Sequence, residues 1–179
     1  MVNEMGMEKQ HCCCFFGHRK VHEATELTDR LTKTVEALIT DKNVNTFFFG
    51  SKSEFDKLCL KVVTELKVKY PYIRRVYVRA EFADINDSYK DYLSENYEDT
   101  YYPERIRGAG KAVYVERNRE MIDNSNFCVV YYDENYAPPR RKNSKRALTD
   151  YQPKSGTKIA YDYAVKKGIE IINILKNSK

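Results

Sequence analysis

Cys12-Cys13-Cys14-Phe15-Phe16-Gly17 is an unbroken apolar run that stops at a glycine. The residues after it, from Glu23 to Thr40, place Leu27, Leu31, Val35, Leu38 and Ile39 at helical spacing. The reading is a strand followed by a helix. The same pair recurs downstream. Thr46 to Phe49 is a short aromatic strand ending at Gly50, and Phe55, Leu58, Cys59, Val62 and Leu66 then share one face of a helix that Ser53 opens and Pro71 ends. Ile73 to Arg79 supplies β-branched and aromatic residues for a third strand. The acidic, tyrosine-rich segment Glu81 to Glu104 reads as an excursion with a short helix around Ser88 to Glu95. Lys111 to Asn124 is a helix with Val115, Met121 and Ile122 as its buried side, and Phe127 to Tyr132 is the next strand. A last helix runs from Ser155 to near Gly168, before a strand at Ile169 to Leu175. Strands alternating with helices predict an α/β fold, a mostly parallel five-stranded sheet with helices on both faces.

The length of 179 residues fits one domain, with a core over about 12–175 and a flexible segment at 1–10. Apolar residues are 42% and charged residues 32%, which is ordinary for a soluble globular chain. The net charge of +5 is unevenly placed. Glu81 to Glu104 holds eight acids and one lysine, whereas Arg140, Arg141, Lys142, Lys145 and Arg146 crowd one loop. That loop, 133–154, has 22 residues and three prolines, so it is expected to be a mobile functional element. It reads as a lid over phosphates, a nucleic-acid patch or solvated surface. No apolar stretch approaches the ~20 residues that cross a membrane, and the N-terminus lacks a signal core, so a cytoplasmic protein is expected. Five cysteines in apolar surroundings read as buried thiols. His11, His18 and His22 near the cysteine run keep a metal site as the lesser alternative.

In parallel sheets ligands bind beyond the carboxyl ends of the strands. The segments leaving those ends are Gly17-His18-Arg19-Lys20, Gly50-Ser51-Lys52-Ser53, the acidic excursion, and the loop that ends in Ser155-Gly156-Thr157. The last puts a glycine and two hydroxyls at a helix start, where unpaired N–H groups and the positive end of the helix dipole attract anions. The competing reading is an ordinary N-cap made by Ser155 or Thr157.

Four segments together resemble the SLOG superfamily, and within it the YpsA/YoqJ-like branch. They are Cys14-Phe15-Phe16-Gly17-His18-Arg19, Phe48-Phe49-Gly50 with Glu54-Phe55-Asp56, Glu116-Arg117-Asn118-Arg119-Glu120-Met121-Ile122 with Ser125, and Ser155-Gly156-Thr157 with Tyr163-Ala164. The resemblance covers residues 12–175 in matching order. It implies a Rossmann-like fold and a nucleotide or nucleotide-derived ligand, with Lonely Guy phosphoribohydrolases and DprA-type DNA-processing proteins as more distant relatives. In Lonely Guy enzymes an arginine followed four residues later by methionine, as Arg117 and Met121 stand here, precedes Pro-Gly-Gly, one variable residue, Gly-Thr, two variable residues and a glutamate. Here the first glycines are absent and the glutamate position is Ala160. Glycoside cleavage needs a carboxylate near the sugar, so the turn is expected to hold a nucleotide rather than help cut one. Asp162 lies roughly 200° around the helix from Ala160 and replaces it poorly.

The expected ligand-binding residues are Gly17, His18, Arg19, Gly50, Ser51, Glu54, Asp56, Arg117, Ser155, Gly156 and Thr157. Arg117 reads as the anchoring cation, or alternatively as a surface arginine paired with Glu116 or Glu120. Asp56 reads as a site acid or as part of the Ser53 capping arrangement. Arg117, Glu81 and Asp56 are the candidates should the protein be an enzyme. Tyr89, Tyr92, Tyr97, Tyr101 and Tyr102 offer base stacking or simple packing. Three functions stay open. The leading one is a nucleotide-binding sensor or sequestering module; the others are an N-glycosidic hydrolase of nucleoside 5'-monophosphates, and a single-stranded DNA binder using Arg140 to Arg146. No motif asks for a cofactor, and a homo-oligomer is compatible with the resemblance.

Overall fold

The structure is a computed structural model, which describes residues 11–22, 24–137 and 155–175. Among these, six strands form one all-parallel sheet. In chain order the elements are β1 (Cys12–Gly17), α1 (Ala24–Lys42), β2 (Thr46–Phe49), α2 (Glu54–Lys69), β3 (Arg74–Val78), α3 (Asp87–Asn96) and β4 (Asp99–Tyr101). After two short 3-10 turns come α4 (Val113–Asp123), β5 (Phe127–Tyr131), α5 (Gly156–Lys167) and β6 (Glu170–Asn173). The strand order is β4-β3-β2-β1-β5-β6, a Rossmann-like α/β arrangement. The chain builds outward from β1 to β4, then returns to lay β5 against the other side of β1. The order therefore reverses between β1 and β5.

Both faces of the sheet are covered, which is why β1, β2 and β5 read as near-continuous apolar runs. Cys13, Phe15, Phe47, Phe49, Val129 and Tyr131 point to one side, where α1 packs Leu27, Leu31, Val35, Leu38 and Ile39 and α2 packs Phe55, Cys59, Val62 and Val63. Leu93 brings α3 to that same face. Cys12, Cys14, Phe16, Phe48, Val76, Cys128 and Val130 point to the other, under Met121 and Ile122 of α4 and Ala160 and Ala164 of α5. All five cysteines are free and buried, and those of the opening triplet alternate between the two cores. Burial drives the thiols of Cys12, Cys13, Cys59 and Cys128 above their ordinary values, Cys12 to about 11.

Two differences from expectation have local causes. The sixth strand, β4, lies inside the stretch expected to be an excursion and pairs in parallel with β3, Val76 opposite Asp99 and Val78 opposite Tyr101. Its sequence, Asp99-Thr100-Tyr101, has no apolar run because it is a three-residue edge strand exposed on one side. In α4 the buried set is Arg117, Met121 and Ile122, so a charged residue joins the buried side while Val115, expected there, is only half-buried.

Candidate functional site

Because the sheet is parallel throughout, the segments after β1, β2, β3 and β5 all leave its carboxyl edge. At the reversal between β1 and β5, His18 follows the last residue of β1 and is only 4% exposed. Its backbone N–H donates to the Tyr131 carbonyl at 3.3 Å, continuing the ladder. Its ring Nε2 accepts the Asp133 amide N–H at 2.9 Å. Tyr136 stacks on the ring at 4.0 Å, while Tyr131 and Tyr132 sit at 6.2 and 5.9 Å. Burial holds the imidazole below its ordinary value, although the neighbouring Asp133 offsets part of that shift.

The α5 start is joined to this cluster through Tyr132, whose ring stacks on Tyr161 at 4.5 Å. Ser155 is the N-cap, and its Oγ accepts the Lys158 N–H at 3.1 Å. The capping explanation of Ser-Gly-Thr is therefore realised. It leaves the N–H groups of Gly156 and Thr157 without an intrahelical acceptor, as geometry requires of any first turn. Gly156 is exposed, and a β-carbon there would meet nothing within 4 Å among the described residues. The first turns of α1, α2, α3 and α4 each carry an acid, Glu26, Glu54 with Asp56, Asp87 and Glu116, whereas that of α5 carries none. Lys158 sits there instead, held to Asp162 at 3.1 Å. The positive end of this helix dipole is thus uncompensated by its own sequence. Ala160 is buried in the second core, so the missing glutamate would face the sheet at that position.

A second cluster closes the end of β2. Asp56 is 4% exposed; its Oδ2 accepts the Ser51 N–H at 2.6 Å, and its Oδ1 is buried with no hydrogen-bond partner among the described residues. Ser53 Oγ takes the Asp56 N–H, so Ser53 caps α2 while the carboxylate turns inward. Arg117 reaches from α4 to donate through Nη1 to the Gly50 carbonyl and through Nε to Asn118 Oδ1 at 3.0 Å. It is not paired with Glu116 or Glu120, which engage Arg105, Glu116 also holding Arg119. Burial pushes Asp56 up to about 7 against the pull of Arg117, and burial likewise lowers Arg117. Two buried ionisable groups tuned toward each other in this way mark a functional-site candidate.

The glycines at these strand ends have intramolecular causes. A β-carbon at Gly17 would lie 2.2 Å from Phe55 Cδ1, and one at Gly50 would lie 2.5 Å from Arg117 Cδ. The space they vacate is filled by the protein's own side chains, not left for a ligand. Glu54 is also engaged, its Oε2 accepting the Val21 N–H at 3.0 Å, and its backbone N–H donates to the Arg19 carbonyl at 2.9 Å. Arg19 and Ser51 are exposed at the rim.

Arg117 and Glu81 border one small cleft with Tyr77, Arg79, Phe82 and Tyr89. Its enclosed volume of about 10 Å³ admits a single water. Glu81 is exposed there, near Lys52 at 3.9 Å and the Tyr114 hydroxyl at 3.3 Å. Continuing the register in which Cys14 pairs with Phe48, Gly50 is level with Phe16, and His18 stands two residues further along the neighbouring strand. That is about 7 Å up and one strand spacing, about 5 Å, across. His18 and Arg117 consequently share the α4/α5 face of the rim.

Sequence reasoning missed Asp133, Tyr132 and Tyr136, which hold His18, and Asn118, which orients Arg117. The doublet Tyr131-Tyr132 carried no signal beyond strand propensity. Tyr97 packs in the core against Phe49 and Tyr77, and Tyr92, half exposed, stacks on Tyr89 at 6.1 Å. Arg140, Arg141, Lys142, Lys145 and Arg146, the rest of the 133–154 loop after residue 137, and residues 1–10 lie outside the described residues. Among the described residues no group of three or more His, Cys, Asp and Glu is arranged to hold a metal ion, and His11 binds the Asn43 carbonyl at 2.9 Å. Nor is any described helix long and apolar enough to cross a membrane.

A scan against protein-family models finds none that matches this chain, and a search of curated proteins finds no match.

Proposed function

We propose that the protein binds a nucleotide or nucleotide-derived ligand in the cytoplasm, as a sensor or sequestering module of the SLOG type, with the phosphate on the first turn of α5. The observation that carries this reading is the α5 start itself. It opens at the carboxyl edge next to the strand reversal, is sterically open at Gly156 among the described residues, and has no acid in its first turn although α1 to α4 each have one. Anions are stabilised at such a terminus by N–H groups and dipole together. Arg19 and Ser51, exposed on the same rim, supply further polar contacts. Arg117 supports the site from below by fixing the Gly50 carbonyl, and its guanidinium borders the cleft beside Glu81.

Binding is favoured over cleavage. Ala160 lies in the core, Glu54 is committed to the Val21 amide, and Asp56 is enclosed beneath Ser51 and Arg117. Glu81 alone of the carboxylates considered stands exposed at the cleft. The single-stranded DNA reading rests on residues 140–146 and gains nothing from the described part. Thermal denaturation against AMP, ADP, cyclic AMP, ADP-ribose and inorganic phosphate tests the proposal. At least one nucleotide raises the melting temperature; silence across the panel at millimolar concentration rejects it. Chromatography for free base after prolonged incubation with AMP separates binding from hydrolysis.

A further inference from the structure

His18 has a hydrogen-bonding state set by its neighbours. The Asp133 amide donates to Nε2, so that nitrogen uses its lone pair and the proton of the neutral ring sits on Nδ1. Nδ1 is buried and has no partner among the described residues. A buried donor left without an acceptor is destabilising, and native structures keep few of them. The fold does not require this one, since the position stacked on Tyr136 and tilted against Tyr132 suits any planar ring.

We propose that the Nδ1–H of His18 donates to a phosphate oxygen of the bound ligand, making His18 the residue that reads an unprotonated oxygen acceptor at the strand reversal. The inference rests on the nucleotide-binding reading above and adds to it a donor, a tautomer and a chemical class. The acceptor must be an oxygen with a free lone pair. A metal ion or an ammonium group is excluded from this nitrogen, because Nδ1 carries the proton and Nε2 is taken by Asp133. The ligand arrives from the Tyr136 side, since Tyr136 is 38% exposed whereas Tyr131 and Tyr132 are buried. Phosphate is the acceptor favoured over a base carbonyl because Tyr132, whose ring lies 5.9 Å from that of His18, also stacks on Tyr161 of α5, the helix whose start attracts anions.

Long-range ¹H–¹⁵N correlation spectra of the full chain with labelled histidine, at pH 7.5, read the tautomer directly. The expected result is a neutral His18 protonated on Nδ1, with that resonance moving on addition of AMP or inorganic phosphate but not adenosine. His18→Phe keeps a stacked ring and removes the donor; AMP affinity falls about ten-fold or more. His18→Asn keeps an N–H donor near the δ position and recovers part of the loss. An Nε2–H tautomer or a charged ring in the free protein overturns the assignment, as does an equal response to adenosine. Unchanged AMP affinity in His18→Phe also overturns it, while leaving nucleotide binding intact. If no probe binds the wild type, both readings fall together. Should His18→Phe not fold, the tautomer and its response to phosphate decide alone.

Discussion

At Gly50 a β-carbon would stand 2.5 Å from Arg117 Cδ and 3.0 Å from Met121 Sδ, and at Gly17 one would stand 2.2 Å from the Phe55 ring and 2.7 Å from its own β-carbon. The two sites differ in what must yield. Arg117 has a long side chain that can rearrange, while Phe55 is locked in the core close to its own backbone. Gly17→Ala is therefore expected to destabilise by more than the 1–3 kcal/mol usual for overpacking, and Gly50→Ala to fall within that range. Gly156→Ala, whose β-carbon meets nothing within 4 Å among the described residues, is neutral or stabilising by up to about 1 kcal/mol. Urea denaturation of the three variants ranks them. A different ordering removes the packing account of Gly17 and Gly50. Asp56 makes a pH prediction at the same scale. Its value rises from 3.8 to about 7 on folding, so its contribution is fully present below 3.8 and is lost as pH rises through 7. That gap amounts to on the order of 4 kcal/mol. In Asp56→Asn, whose amide oxygen still accepts the Ser51 N–H, this decline disappears, and the variant is the more stable protein at pH 8. His18 acts with the opposite sign, losing its contribution as pH falls below 6.5, and is the same in both proteins. Their difference across pH 4 to 8 isolates Asp56, and parallel curves contradict the buried-acid account.

Elements were legible where one residue type did one job. Ser53 and Ser155 sit before apolar-periodic runs and both cap their helices through Oγ, and Gly168 ends α5 in the left-handed conformation at φ 70°. The strands β1, β2 and β5 were legible because two covered faces make them near-continuously apolar, and β3 through the β-branched and aromatic Val76-Tyr77-Val78. The edge strand β4 was not, since Asp99-Thr100-Tyr101 owes its state to pairing with β3 rather than to its own residues. Arg117 was legible as a functional candidate only through the motif around it. Burial of a guanidinium depends on a distant acceptor, the Gly50 carbonyl, which no local pattern encodes. Likewise Asp133 meets His18 across 115 positions. At this scale Ser155→Ala tests the α5 cap. It removes the acceptor for the Lys158 N–H and should cost about 1 kcal/mol by denaturant titration. A cost near zero would mean the α5 start is held by something other than its cap.

Over the whole molecule, the return of the chain from β4 to β5 makes a site possible, because it opens the carboxyl edge between β1 and β5 and sets α4 and α5 side by side on one face. Tertiary arrangement thereby brings His18 and Arg117, 99 positions apart, onto one rim, with Gly50, whose carbonyl Arg117 holds, within about two strand spacings of His18. The most direct test of the account is isothermal titration of the wild type and Gly156→Asp with whichever panel nucleotide raises the melting temperature most. An aspartate at the first helical position complements the dipole and should raise the melting temperature of the free protein slightly. It also occupies the place assigned to phosphate. The account predicts measurable binding by the wild type and at least a ten-fold weaker, or undetectable, affinity in a Gly156→Asp protein that is no less stable. Equal affinity in the two proteins would contradict it.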